Sequence, residues 1–481
     1  MISWKFILFS IYQVFVILTI IHVVMDNRQP AKTMAWALVI WFVPVVGIVF
    51  YLFFGVNTRK ERLVSQRSLD QLSRRSMLEF VEQKNLQLPE EHKALIDLFV
   101  NENISLPFQN NEVRIITNGY DFFLSLLREI GAAKDHIHID MYIFCDDALG
   151  NLVADALIDK SREGVEVKVI YDDVGCWNVS YDFFERMRKE GIEVTPFLPV
   201  RFPSFTSKVN YRNHRKMIVI DGRTGFIGGM NIALRYVKGT NDQPWRDTML
   251  QISGSGVYSL QKAFLIDWYF VDRTLISNRK YYPKNLQPST ESSETANQSP
   301  LLQVVTSGPV TPYPEIMQGF VRIILSAKRY LYIETPYFLP TEPVLFALKT
   351  AALGGVDVRI LVPYRSDAKF VEWAGRSYLR EMVETGVRVS LYKAGFLHSK
   401  IIVCDDNICS CGSTNVDFRS FENNFEANAF IYGPLVAGQM RDIFLDDESK
   451  SILFADIPSR IQPRFMKRLG ESVVRMLSPL M

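Results

Sequence analysis

Residues 213–222 read NHRKMIVIDG and residues 397–406 read LHSKIIVCDD. Each phrase sets a Lys two positions after a His and an Asp five positions after the Lys. The two histidines lie 184 positions apart in a chain that has only six. The match runs on: Gly228 and Asn231 stand 14 and 17 residues after His214, and Gly412 and Asn415 stand 14 and 17 after His398. A neutral imidazole can attack phosphorus, and a protonated one can hand a proton to a leaving alkoxide. Lysine ammonium groups and Asn amides neutralise the non-bridging oxygens of a phosphodiester, where charge builds in the transition state. A single His-x-Lys is an ordinary strand sequence. Two copies with matched Gly and Asn offsets are a repeat. The chemistry needs no metal and no cofactor, and the sequence holds no metal-ligand cluster.

The elements that must position these residues are legible around them. KMIVIDGRTGFIGG and KIIVCDDNICSCG both read as strand, tight turn, strand. Side chains alternate faces along a strand, so His214 and Lys216 share a face, as do His398 and Lys400. Asp221 and Asp405 sit an odd number of residues from their histidines, on the turn side, which predicts that they fix the turn. The glycines allow close backbone approach, and the Asn amides supply donors for an anionic oxygen. Packing of the two halves about a pseudo-twofold axis would gather two His, two Lys and two Asn in one pocket.

Further repeats support two halves. VRIITNG (113–119) is echoed by LQVVTSG (302–308), AKDHIHIDMYIF (133–144) by AKRYLYIETPYF (327–338), and GVEVKVIYD (164–172) by GVDVRILVP (355–363). Helix-period stretches such as GNLVADALIDKSRE lie between these β-branched runs, which predicts an α/β fold with a partly parallel sheet in each half. Asp140 and Glu334, on the repeated strands, read as solvated or turn residues. The first half carries an insert before its His, FLPVRFPSFTSKVNYRN, with Arg201, Lys208 and Arg212; it reads either as a surface loop or as a lipid- or substrate-contacting one. The polar stretch 282–300 reads as the linker between halves. Cys409 and Cys411 share one strand face, as small core residues do.

The first sixty residues differ in kind. Phe6–Met25 is an apolar run long enough to cross roughly 30 Å of hydrocarbon, and Met34–Val56 is a second, with Pro44 and Gly47 inside it. The absence of a small-x-small cleavage site after the first run argues against a signal peptide. Arg59, Lys60, Arg62, Arg67, Arg74 and Arg75 follow the second run, which puts the large C-terminal part in the cytoplasm. An odd set of five cysteines with no CxxC pair agrees with a reducing compartment. The net charge of +2 is too small to attract anions, so local patches must do it. The organisation expected is two transmembrane helices in 1–57 (about 6–25 and 34–56), a juxtamembrane helical linker (58–110), one half (111–282), a linker (283–300), the other half (301–457) and an amphipathic C-terminal segment (458–481). In that last segment Phe465, Met466, Leu469, Val473 and Met476 fall near one helical face, which either lies on a membrane surface or packs onto the protein.

The paired HxKxxxxD phrases, each followed by GxxN or GSxN, resemble the signature of the phospholipase D superfamily over about residues 110–450. With two N-terminal spans, WRDT (Trp245–Thr248) and RSFENNFEAN (Arg419–Asn428), the chain is similar to the bacterial cardiolipin synthases of that superfamily. The resemblance implies two pseudo-symmetric α/β/α halves with mixed sheets behind a two-helix transmembrane hairpin. It implies condensation of two phosphatidylglycerols to cardiolipin and glycerol through a phosphatidyl-histidine. Phosphatidylglycerol and other anionic membrane lipids would be the partners, with no nucleic acid. The catalytic set implied is His214, Lys216, Asp221, His398, Lys400 and Asp405, with Asn231 and Asn415 on the phosphate. His214 matches the histidine usually assigned as nucleophile, His398 the acid/base. Glu426 and Asp247 match the acids that hold a histidine across the pseudo-dyad, Glu426 for His214 and Asp247 for His398. Met249 and the second Asn of FENNFE depart from the family pattern, which bears on substrate detail. Arg419 stands either as a headgroup ligand or as a plain surface residue. The rival reaction on the same fold passes the phosphoryl group to water, as a membrane-bound phospholipase or nuclease would. A scaffold with a decayed site is disfavoured because all the site positions keep competent residues.

Overall fold

The computed structural model describes residues 4–25, 30–51, 55, 88–103, 105–200, 210–240, 243–276, 278–284, 299–476 and 478. Most of the basic run after the second apolar segment, the insert residues Arg201 and Lys208, and most of the inter-half linker lie outside these residues.

Seven strands of the first half form one sheet, in the order Asn111–Ile116, Met249–Gly254, Thr224–Gly228, Lys216–Ile220, His136–Met141, Glu166–Asp172, Glu193–Phe197. The second half repeats that order with Leu301–Ser307, Glu426–Tyr432, Ile408–Gly412, Ile401–Cys404, Tyr330–Glu334, Asp357–Pro363 and Arg388–Tyr392, and adds Ser451–Leu453 at the edge. In each sheet the strands joined by helical crossovers pair in parallel and the hairpin strands pair antiparallel. The sheets are therefore mixed, because a two-residue turn can reverse a strand whereas a parallel return needs a helix.

Helices cover the outer face of each sheet, and Val257–Asp272 and Pro434–Ser449 lie against the inner faces. Between the halves the sheets meet directly through Met217, Val219, Ile227, Leu250, Ile252, Ile401, Val403, Ala427 and Ala429. Cys409 and Cys411 are buried in this seam as small apolar residues, and burial pushes both thiols up, Cys409 to about 12. The helix Lys93–Asn103, in the stretch read as juxtamembrane, packs on the second half. Its Phe99 ring stands 4.5 Å from that of Phe430, over Gly319, where any Cβ would collide with it.

At the N-terminus Trp4–Met25 is a 22-residue helix long and apolar enough to cross a membrane. The following apolar run is not one continuous span. Helix Pro30–Phe42 stops, Val43 takes an extended φ of −134°, and a short helix Pro44–Phe50 resumes. The break is the expected consequence of Pro44, whose ring disfavours helical geometry in the residue before it. Val16, Val23, Trp36, Ile40 and Tyr51 pack these helices together, with His22 edge-on to Tyr51. At the other end the helix Phe465–Met476 lies on Lys369–Glu384, burying Glu471 against Arg380 at 2.6 Å together with Val474. Its opposite face exposes Phe465, Met466, Leu469, Val473 and Met476. Of the two sequence alternatives for this segment the structure shows the packing one, with the apolar face left exposed.

Candidate active site

The two His-x-Lys phrases meet at the pseudo-dyad because each is gripped by a strand end of the other half. The His214 amide donates to the Phe425 carbonyl at 2.9 Å, and the His398 amide to the Arg246 carbonyl at 2.7 Å. Phe396–Leu397 pairs in parallel with Trp245–Arg246, and Asn213 bridges to Phe425. The residue after each gripping position is the acid, so the register of one short pairing decides where the acid points. Glu426 lies 3.0 and 3.1 Å from His214 Nδ1, and Asp247 lies 2.6 Å from His398 Nδ1. An ionised carboxylate only accepts, so each acid favours a proton on the Nδ1 it faces and a bare Nε2; at His398 the Lys400 Nζ also stands 2.8 Å from that Nδ1.

Glycines make this close approach possible. A Cβ on Gly228 would fall 2.4 Å from the Thr248 carbonyl, and one on Gly412 would fall 2.3 Å from the Ala427 carbonyl. Each therefore lets the acid-bearing strand lie against its hairpin. The next position differs between halves. Gly229 leaves room for the Asp247 carboxylate, whereas Ser413 donates its hydroxyl to Glu426.

His214, His398, Asn231 and Asn415 line one cleft of about 390 Å³. The Asn231 amide nitrogen donates to the Tyr236 hydroxyl at 2.8 Å, and Asn415 Oδ1 is buried without a hydrogen-bond partner. Lys216 and Lys400 lie one layer deeper, each donating to the carbonyl of its own histidine. Burial lowers both lysine pKa values. Burial, reinforced by Lys216, also lowers His214 to about 4; burial and Lys400 lower His398 to about 3. Burial alone would raise Glu426 and Asp247, but the imidazoles and lysines around them hold both below the ordinary carboxylate range. The cleft thus pairs two acids held below the ordinary carboxylate range with two imidazoles pushed below theirs, over two buried lysines.

Asp221 and Asp405 stand at the far ends of the hairpins. Asp221 accepts from the amides of Lys134, Asp135 and His136 at 2.8–2.9 Å, and Asp405 from those of Lys328, Arg329 and Tyr330 at 2.7–2.9 Å. Both adopt left-handed φ, 54° and 52°. They tie each turn to the neighbouring strand and do not line the cleft.

Asp140 and Glu334 correct the sequence reading. They are 0% and 1% exposed, not solvated, because the strands that carry them are central in their sheets. Each anchors a buried carboxylate cluster around an arginine. Asp140 accepts from Asn213 at 2.6 Å and adjoins Asp267, which pairs with Arg215; Arg215 Nε donates at 3.0 Å to the carbonyl of Glu426. Glu334 adjoins Asp447, which pairs with Arg246 at 2.7 Å; an Arg246 terminal nitrogen donates at 2.8 Å to the carbonyl of Asp247. One arginine in each cluster therefore holds the backbone of a histidine-holding acid. Burial, then Asp447, pushes Glu334 well up from the ordinary carboxylate range in spite of Arg246.

Glu334→Gln should accordingly leave turnover near wild type. A carboxyl whose folded pKa is raised keeps its proton while the unfolded chain loses it, so wild-type stability falls as pH rises from the ordinary carboxylate range towards neutral. The amide has no such slope. Melting temperature across that range should show the variant gaining on wild type as pH rises.

Sequence reasoning missed Tyr142 and Tyr337. The two tyrosines follow the repeated acidic strands, in DMYIF and ETPYF, and both line the cleft. Asn424 donates to Glu426 at 3.2 Å, so the second Asn of FENNFE touches the catalytic acid as well as the cleft wall. Arg419 lines the cleft but binds Asn210 through its carbonyl at 3.0 Å and its side chain at 3.2 Å.

Comparison with known proteins agrees with this geometry. The family described as "Cardiolipin synthase, PLD-like domain" matches residues 126–264 and 320–447, and "Phospholipase_D-nuclease N-terminal" matches residues 14–55. The chain is 37% identical over 476 residues to the major cardiolipin synthase ClsA of Bacillus subtilis, covering 97% of both chains. It is 40% identical over 466 residues to a cardiolipin synthase of Alkalihalophilus pseudofirmus, covering 95% of this chain and 90% of that one. The crystal structure of phosphatidylserine synthase from Haemophilus influenzae matches in fold, with a TM-score of 0.62 at 16% identity over 81% of this chain and all of that one. Two mixed sheets in one chain, two histidines gripped across the dyad and relatives of this extent lead to one conclusion: the chain belongs to the cardiolipin synthase family of the phospholipase D superfamily.

Proposed function

We propose that the protein is a membrane-bound phosphatidyltransferase that condenses two phosphatidylglycerols to cardiolipin and glycerol. The observation that carries this reading is the pair of imidazoles lining one cleft, each held at Nδ1 by an acid from across the dyad. His214 Nε2 attacks the donor phosphorus; the bond from phosphorus to glycerol oxygen breaks, and His398 protonates the departing oxygen. A second phosphatidylglycerol then gives its hydroxyl proton back to His398, its oxygen joins phosphorus, and His214 is released. The bound phosphodiester brings negative charge beside His398 and raises its pKa, so substrate itself loads the acid. Lys216, Lys400, Asn231 and Asn415 take the charge on the non-bridging oxygens.

Attachment to the membrane supplies both lipids by confinement. In this reading Trp4–Met25 and the kinked run after it form the anchor, and the basic residues that follow in the sequence support a cytoplasmic side for the catalytic halves. The exposed apolar face of Phe465–Met476, flanked by Arg464, Lys467 and Arg468, suits contact with an anionic bilayer.

Purified protein given labelled phosphatidylglycerol in mixed micelles should produce labelled cardiolipin and free glycerol in equal amounts. Phosphatidic acid without cardiolipin would mean that water is the acceptor and would sink the proposal.

A further inference from the structure

The 184-residue repeat carries one more pair of residues into the cleft. Arg235 lies four residues after Asn231, and Arg419 four after Asn415, and both line its wall. The two have diverged. Arg419 is spent on Asn210, in the segment that leads into the first His-x-Lys phrase. Arg235 is not spent: its guanidinium rests 5.1 Å over the Trp245 ring and 5.9 Å from that of Tyr236, and its Nε is buried without a hydrogen-bond partner. Among the described residues no carboxylate pairs with it. Of the two carboxylates that line the cleft, Asp367 accepts from the Tyr337 hydroxyl at 2.8 Å and Asp417 from the Ser420 amide at 2.6 Å.

Position gives this free cation its meaning. The Trp245 ring that carries Arg235 on one side stands 5.3 Å from the His398 ring, so Arg235 belongs to the acid/base side of the cleft. In the reading proposed above, the acceptor hydroxyl must enter on that side, since His398 takes its proton. The acceptor is itself a phosphodiester, and its phosphate follows the attacking oxygen by a three-carbon bridge. That second phosphate keeps its full charge while being drawn beside the first. Desolvating it there without a cation would cost more than the reaction can spare. Lys216 and Lys400 are committed to the reacting phosphate below. A guanidinium with unused donors, pre-set on an indole face, matches a phosphate oxygen pair.

We infer that Arg235 is the anchor of an acceptor subsite that binds the non-reacting phosphodiester of the second lipid, and so favours a phosphate-bearing alcohol over water or a neutral alcohol. This rests on the phosphatidyltransferase reading, and the test separates the two. Full-length wild type, Arg235→Gln and Arg235→Lys are compared in phosphatidylglycerol micelles by two rates: cardiolipin formation, and incorporation of radiolabelled free glycerol into phosphatidylglycerol. The exchange uses the same histidines but an acceptor without phosphate. The ratio of cardiolipin formed to glycerol exchanged should fall about ten- to a hundredfold in Arg235→Gln, the range for one charge-assisted pair, with phosphatidic acid rising. Arg235→Lys should recover part of the ratio. An unchanged ratio, whether both rates fall together or neither moves, overturns the subsite. Wild type that makes phosphatidic acid alone refutes the transferase reading, and the acceptor subsite with it.

Discussion

His214→Asn should lower cardiolipin formation by about 10⁴-fold or more, the scale seen when a covalent nucleophile is deleted, and His398→Asn should do nearly as much with the natural substrate. The two losses have different causes, and a change of leaving group exposes them. A phosphatidyl ester of p-nitrophenol departs without needing a proton. With it, His398→Asn should regain the first step and then stall, because nothing takes the proton of the incoming hydroxyl. Phosphatidyl group labelled at phosphorus should accumulate on the protein and map to His214. His214→Asn should form no adduct with either ester. An adduct on His398 in the His214 variant would reverse the assignment of roles, which the near-symmetric hydrogen bonding of the rings otherwise allows.

Glu426→Gln and Asp247→Asn should each cut kcat by about 10³-fold with little change in KM, because the acids touch imidazoles and not substrate. Glu426 is 0% exposed, and its negative charge is what stabilises the His214 imidazolium once phosphorus has bonded to Nε2. An amide at that position can keep the hydrogen bond but not the charge. Asp247 raises the pKa of His398 against burial and Lys400. Removing that carboxylate lowers the pKa further, and an acid is lost as pH rises through its pKa. The alkaline limb of the pH–rate profile should therefore move to lower pH in Asp247→Asn. In Glu426→Gln that limb should stay in place, since its carboxylate faces the other ring. A limb that does not move in Asp247→Asn would show that the aspartate acts only by orienting the ring.

The two arginine clusters explain why these acids can be placed so closely. Arg215 and Arg246 hold the backbone carbonyls of Glu426 and Asp247, and each is held by a pair of buried carboxylates. Arg215 is the central residue of the first His-x-Lys, and Arg246 immediately precedes Asp247. Ser399 occupies the place of Arg215 in the second phrase and bonds Thr248 at 2.8 Å. The halves thus reach the same end with different residues, which is why a repeat search by residue type does not find them.

Read as a string, the chain already contained the chemistry and most of its framework. The doubled His-x-Lys with matched Gly and Asn offsets marked the candidate site, although the strand-face argument did not carry over: His214, His398 and Lys400 stand just before their strands, and each lysine turns back to the carbonyl of its own histidine instead of lining the cleft. The doubled β-branched runs named two mixed sheets, and the odd spacing of Asp221 and Asp405 named them as turn residues. Tertiary structure alone decided what lies between the halves. Asp140 and Glu334 look like polar strand residues and are buried because their strands are central, a fact about neighbours and not about local pattern. The kink before Pro44, the packing of Lys93–Asn103 on the distant half and the freedom of Arg235 beside a committed Arg419 have the same origin. Periodicity reports which face a side chain takes, but only the pairing of chain segments 151 and 212 residues apart sets what that face meets.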